Sequence, residues 1–411
     1  MRPLPDAQRE VLAAMRPLPA AEVPLGAALG LVTAAPVRAR HDVPPFANSA
    51  VDGYAVRAAD TAGAPVRLPV LEDVPAGSVP TRTVEAGTAI KIMTGASLPG
   101  GADAVVRVED TEADGETVLI LRGADPETAV REAGGDVRAG DEVFPAGERL
   151  TAHHLGVLAA LGVARPRVRR RPVVAILSTG DEVVPPETEA PAPGAIRDAN
   201  RPALTAMLAE VGAEVRDLGI VGDDARRLRE ALAEAAAGSD AVVTSGGVSM
   251  GEYDLVKEVL GRLGGVEFWQ VAMQPGKPFA FGRLGETPFF GLPGNPVSVT
   301  VAFEQFVRPA LLHRMGARRI FRPRVRGTLA EAVSTEEART VFLRVRAAYR
   351  DGSWVAAPSG GQMSNMLAAL ARADAFAVIP AGVGGVAAGA EVELEMFRWP
   401  EQRTMEEVLG G

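Results

Sequence analysis

Residues 241–254 read AVVTSGGVSMGEYD. The apolar run Ala241–Val243 has the character of a buried strand, and it empties into a polar, glycine-rich loop. Beyond the loop, Leu255, Val256, Val259, Leu260 and Leu263 recur at helical spacing. Strand, tight loop and helix together turn backbone N–H groups toward an anion. Gly246 and Gly247 permit close approach, Gly251 eases the turn into the helix, and Ser245 and Ser249 add hydroxyls. In isolation the same residues also suit a buried strand and an ordinary turn, but two similar loops flank them.

The first of these follows Val173–Leu177 (VVAIL), a continuous apolar run of the kind found in a parallel strand covered on both faces. It opens into Ser178-Thr179-Gly180-Asp181-Glu182. The second is Gly291-Leu292-Pro293-Gly294-Asn295-Pro296, after a hairpin-like pair at Phe279–Phe281 and Pro288–Phe290. Asn295 has N-cap chemistry and Pro296 first-turn chemistry for a helix over Val297–Leu312. Asn200 reads as the cap of a helix carrying Leu204, Met207, Leu208 and Val211, stopped by Gly212. Val215–Val221 is the next strand, emptying into Gly222-Asp223-Asp224. This alternation predicts a doubly wound α/β domain over residues 169–318, with its ligand site beyond the carboxyl ends of the strands.

The flanks differ in character. Residues 1–41 read as two amphipathic helices, one with Val11, Leu12 and Met15 on a face and one with Leu25, Ala28, Leu29 and Val32. Together with a helix at 150–161 inside residues 137–168, they predict a discontinuous helical arm. Residues 42–136 show short strands with glycine and proline breaks, a small β module. Its working edge is a Thr94-Gly95 turn after a strand ending at Met93, with Asp52 in the tight Val51-Asp52-Gly53 step and Arg131 and Asp136 around a glycine pair. Residues 319–400 carry strand-like segments of a C-terminal β-barrel, with the polar loop Gly360–Asn365. The fold class is therefore multidomain α/β and β.

Composition narrows the function. A net charge of −9 argues against nucleic acid as the main partner. No apolar run reaches a membrane span and no secretory leader pattern is present, so the expected location is cytoplasmic. With no cysteine, disulfides and thiolate metal sites are excluded. Glu182, Asp223 and Asp254 fall at or just after strand ends on the loop edge. Carboxylates beside many N–H and hydroxyl donors suit a phosphorylated ligand with Mg²⁺.

The chain resembles the molybdopterin molybdenumtransferase family, which includes the C-terminal enzyme module of gephyrin. The resemblance rests on NSAVDGYAVR (48–57), IMTGA (92–96), GDVRAGDEVFPAGERLT (135–151), STGDE (178–182), TSGGVSMGEYD (244–254), PGKPFAFG (275–282) and GLPGNPVS (291–298). It implies a homodimer with active sites shared between subunits. The implied reaction is insertion of molybdenum from molybdate into adenylylated molybdopterin with Mg²⁺ and release of AMP. Transient contact with other molybdenum cofactor biosynthesis proteins is implied as well.

Carried over by motif, Asp52, Thr94, Asp136, Glu182, Asp223 and Asp254 form the catalytic set, the last three as metal ligands. Substrate contacts fall to Arg131 in the β module and to Ser178, Thr179, Gly180 and Asp181 in the first loop. Ser245, Gly246, Gly247, Val248 and Ser249 supply the second loop, and Pro293, Gly294, Asn295, Pro296 and Ser298 the third. Lys277, Arg344 and Ser364 complete the set near the oxyanion. Gln270 and Gln274 stand where some members carry lysines. A glutamine hydrogen-bonds an anion without neutralising it. The competing readings are an adenylyltransferase that makes the adenylylated pterin, and a non-catalytic gephyrin-like scaffold.

Overall fold

Proline opens the first helix: Pro3 precedes α1 (Leu4–Ala13) and Pro5 sits in its first turn, where a missing N–H costs nothing. A computed structural model describes residues 1–247, 259–261, 265–401 and 404–409. The chain divides into two units. One holds residues 1–21, 30–32 and 168–411, the other residues 22–29 and 33–167.

The second unit is built on a six-stranded sheet of β1 (Gly53–Val56), β2 (Val66–Val74), β3 (Ala89–Ile92), β4 (Ala104–Arg107), β5 (Thr111–Asp114) and β6 (Thr117–Ile120), in the order β4-β1-β3-β2-β6-β5. Alternate residues feed two cores, Tyr54 and Val56 on one side and Ala55 with Ile90 and Ile92 on the other, so β1 is buried throughout. Gly53 is obligatory, because a Cβ there would lie 2.0 Å from the Val106 carbonyl oxygen. The expected second helix of the arm is not formed. Leu25–Ala27 is a single 3₁₀ turn, and Val32–Thr33 is a strand. Pro24 and the two glycines Gly26 and Gly30 leave too short a run to nucleate a helix; Leu29, on the expected apolar face, is exposed. α2 (Ala152–Ala160) is formed, with the Thr151 N–H donating to His154 Nδ1 at 2.9 Å. That gives His154 a structural task.

In the first unit α1 buries Leu4, Ala7 and Val11, and Gln8 Nε2 donates to the Gln305 carbonyl at 3.3 Å. The α/β layer follows: β7 (Val173–Thr179), α3 (Asn200–Val211), β8 (Glu214–Val221), α4 (Ala225–Ala237), β9 (Ala241–Ser245), β10 (Val266–Gln270), β11 (Pro278–Leu284) and β12 (Thr287–Leu292). The sheet order is β8-β7-β9-β12-β11-β10. Its first four strands are parallel, and β11 and β10 extend it antiparallel. α4 packs Leu228, Leu232 and Ala235 with Val242, Val259 and Leu260. α3 runs instead beside α5 (Pro296–Ala302) and α6 (Arg308–Arg314). The helix expected over Val297–Leu312 is thus longer, and a π-helical segment, Phe303–Val307, interrupts it.

Five strands close the C-terminal barrel: β13 (Arg324–Leu329), β14 (Thr340–Arg350), β15 (Ser353–Pro358), β16 (Ala375–Ile379) and β17 (Glu391–Met396), in the closed order β14-β15-β13-β17-β16-β14. β14 is long enough to pair with β16 through its first half and β15 through its second. The π-helical segment reaches the barrel, where Gln305 Nε2 donates to Glu395 Oε1 at 2.6 Å. Among the described residues no helix is long and apolar enough to cross a membrane.

Candidate functional site

Because β8, β7, β9 and β12 are parallel neighbours, the loops that follow them must emerge at one edge. Gly180 has φ +124°, and a Cβ there would lie 2.4 Å from Glu182 Oε2, so the Glu182 carboxylate folds back over the Gly180 turn. Asp181 and Asp223 clasp one another. The Asp223 N–H donates to Asp181 Oδ1 at 2.8 Å, and the Asp181 N–H reaches Asp223 Oδ2 at 3.4 Å. Asp224, not Asp223, caps α4 by accepting the Arg227 N–H at 2.7 Å. Asp223 is therefore free of the helix-capping task that most often explains such a residue.

In the second loop Gly246 and Gly247 both have positive φ, and the Gly246 N–H donates to the Leu292 carbonyl at 3.1 Å. A Cβ on Gly246 would press 2.9 Å from the Thr179 carbonyl oxygen. Val248, Ser249 and Asp254 lie outside the described residues. Ser178, Thr179 and Ser245 are buried rather than open donors.

Two caps differ from expectation. Asn200 is the first residue of α3 and makes no cap bond; Asp198 does that work, accepting the Arg201 N–H at 3.0 Å. The Asn200 Nδ2 instead donates to Ser245 Oγ at 2.8 Å and to the Gly294 carbonyl at 2.7 Å. Asn295 does precede α5, but it makes no side-chain cap bond, and the Val297 N–H is taken at 3.1 Å by the Ser364 carbonyl. In that third loop Pro293 and Ser298 are buried, Pro296 is half-buried, and Gly294 and Asn295 are exposed.

That barrel loop is anchored from beneath. Arg344 is 0% exposed, and its Nη2 donates to the carbonyls of Gly361 at 2.8 Å and Met363 at 3.2 Å. The Gln362 side chain clips both the N–H and the carbonyl of Arg344. Among the described residues no carboxylate pairs with the guanidinium. Burial pulls its pKa down to about 10, so it is still cationic at neutral pH. Gln274 lines a cavity of ≈ 340 Å³ with Ser334, Thr335 and Gln362, and its Oε1 is buried without a hydrogen-bond partner. Lys277 is half-buried, and its carbonyl accepts the Val271 N–H at 2.8 Å.

The other unit carries its own cluster. Asp52 Oδ1 accepts both the N–H and the hydroxyl of Thr94 at 2.7 Å. Those bonds, the backbone one first, hold its carboxyl below the usual range. The strand pair Asn48–Ser49 and Val130–Arg131 stands beside it, with the Gly95 N–H on the Ser49 carbonyl at 2.8 Å. Arg131 and Asp136 are exposed. Among the described residues no group of three acidic or histidine side chains converges to hold a metal.

Asn200, Asp198 and Gln362 had no motif to announce them. Asn200 carried a misleading signal, its position at a helix start.

Three family descriptions cover the chain: MoeA N-terminal region (domain I and II) at residues 2–162, probable molybdopterin binding domain at 175–313, and MoeA C-terminal region (domain IV) at 326–397. Molybdopterin molybdenumtransferase 2 of Mycobacterium tuberculosis is 40% identical over 404 residues, covering 96% of this chain and 99% of that protein. Molybdopterin molybdenumtransferase of Haemophilus influenzae is 37% identical over 363 residues, covering 87% and 88%. A crystal structure of the molybdopterin biosynthesis moeA protein from Pyrococcus horikoshii superposes with TM-score 0.83 at 30% identity, covering 97% of this chain and 100% of that one. With relatives of that identity along nearly its whole length, the chain belongs to the molybdopterin molybdenumtransferase family.

Proposed function

We propose that the protein inserts molybdenum from molybdate into adenylylated molybdopterin, cleaving the pyrophosphate and releasing AMP, as a step of molybdenum cofactor biosynthesis. The observation that carries this reading is the gathering of three glycine-rich loops at the edge of four parallel strands, with Asn200 tied to two of them. Backbone N–H groups and hydroxyls of those loops hold phosphate and pterin. Glu182 and Asp223 fit Mg²⁺, which takes one or two carboxylates with phosphate oxygens and water; both are exposed, and neither caps a helix. When bound, Mg²⁺ neutralises charge on the leaving phosphate.

The chain's own groups do the rest. Asp181 fixes the Asp223 backbone, and Gly180 lets Glu182 fold over the turn. Lys277 and Arg344 supply positive charge for the oxyanion, while Gln270 and Gln274 supply only hydrogen bonds. Asp52, locked by Thr94, offers a carboxylate that stays ionised in mild acid. The reading includes a homodimer with shared active sites. It also includes a cytoplasmic location and transient contact with other proteins of cofactor biosynthesis.

The test is AMP release from adenylylated molybdopterin with Mg²⁺, with and without molybdate. Molybdate-dependent release that Asp52→Ala and Glu182→Ala both abolish is expected. Release independent of molybdate, or undiminished in both variants, contradicts it.

A further inference from the structure

We propose that Asn200 is a positioning residue that sets the spacing of the Ser245 and Gly294 loops for the pterin-phosphate ligand. The proposal rests on the reading above. Both hydrogens of the Asn200 amide are committed, one to Ser245 Oγ at 2.8 Å and one to the Gly294 carbonyl at 2.7 Å. An amide flip would turn Oδ1 toward the Gly294 carbonyl, acceptor against acceptor, so the orientation is fixed by its partners. The helix start does not need the residue, since Asp198 holds both the Arg201 N–H and its Nε at 3.0 Å. The Asn200 Oδ1 is buried without a hydrogen-bond partner. A buried, unmet acceptor is costly, and a smaller residue or serine at this position would avoid it. What only the two-donor amide provides is a side-chain link between the two loops, the one such tie among the described residues.

Ser245 is 3% exposed, and its Oγ accepts from Asn200, which leaves its hydroxyl hydrogen without an acceptor among the described residues. Asn200 thus acts through Ser245 and through the backbone of Gly294 without itself touching ligand.

The experiment uses full-length wild type, Asn200→Asp, Asn200→Ala, Ser245→Ala and the double variant Asn200→Ala/Ser245→Ala. Equilibrium binding of molybdopterin, kcat and KM for adenylylated molybdopterin, and thermal midpoints are measured for each. About tenfold weaker binding and higher KM for Asn200→Asp is expected, with kcat little changed and a midpoint near wild type. As pH falls through the introduced carboxyl's pKa, its hydroxyl can donate to the Gly294 carbonyl again, and affinity recovers. The double variant binds no worse than Asn200→Ala, because Ser245 is aimed by Asn200. Wild-type affinity in a folded Asn200→Asp, or a lowered midpoint with ligand affinity unchanged and no pH recovery, overturns the proposal. Wild type that fails to bind molybdopterin at all overturns the underlying reading instead.

Discussion

Thr94 gives Asp52 two hydrogen bonds to one carboxylate oxygen, and both favour the charged form. Thr94→Val removes the hydroxyl bond and leaves the backbone one. An NMR titration should therefore show the Asp52 pKa rising part of the way to the ordinary carboxylate range. Thr94→Val with an unmoved Asp52 would mean the hydroxyl is not engaged. Arg344 poses the opposite problem, a buried cation with carbonyls but no carboxylate around it among the described residues. Replacing it with an apolar residue of similar length removes a desolvation cost. Arg344→Met also leaves the Gly361 and Met363 carbonyls without their donor, so it should lower stability by about 1–3 kcal/mol while weakening oxyanion-dependent turnover at least tenfold. Urea unfolding and molybdate titration read the two effects separately. Residues of this kind were half legible. Asp52 belonged to a recognisable stretch and Arg344 was reached only by its position in the barrel segment, while a hydrogen-bond partner across 42 residues, such as Thr94, leaves no mark in spacing.

At the scale of elements, the loop after β9 depends on Gly246. Its φ of +91° and the 2.9 Å approach to the Thr179 carbonyl leave no room for a methyl group. Gly246→Ala should lose ligand binding and destabilise the fold by about 1–3 kcal/mol, measured by denaturant unfolding alongside molybdopterin binding. A fully active Gly246→Ala would show that the loop adopts another course. The strands of the α/β layer were readable because apolar runs such as Val173–Leu177 are buried on both faces and end in glycine. Caps were less readable. Asn and Asp suit a helix start equally well, so Asn200 and Asp198 could not be told apart until their partners were known. The arm's second helix failed for another reason: the apolar spacing around Leu25 and Leu29 was present, but proline and glycine outweighed it.

For the molecule as a whole, Asp240 binds the first strand of the α/β layer to the arginines around it. Its carboxylate accepts Arg170 Nη1 and Nη2 at 2.6 and 2.7 Å and the Val173 N–H at 2.8 Å. Burial alone would raise its pKa, yet the Arg170 and Val173 hydrogen bonds bring it below the usual value. The unfolded chain therefore binds the proton more readily. The stabilisation is present above the ordinary carboxylate range and is lost as pH falls through the lowered folded pKa. Asp240→Asn should cost about 2–4 kcal/mol at pH 7 and flatten the acid limb of stability, followed by urea midpoints between pH 3 and 7. An unchanged midpoint at pH 7 would contradict it.

The change from helix-spaced to strand-like apolar residues was legible along the chain. The grouping of residues 1–21 with the α/β and barrel segments was not, since that grouping depends on distant partners such as Gln305.

The most direct test of the account is the fate of the metal. Purified protein is given adenylylated molybdopterin, Mg²⁺ and one equivalent of molybdate. The pterin product is then separated and its molybdenum measured. Molybdenum on the pterin in step with AMP released, and absent with Glu182→Ala, is the expected result. AMP released while the pterin stays metal-free would contradict it.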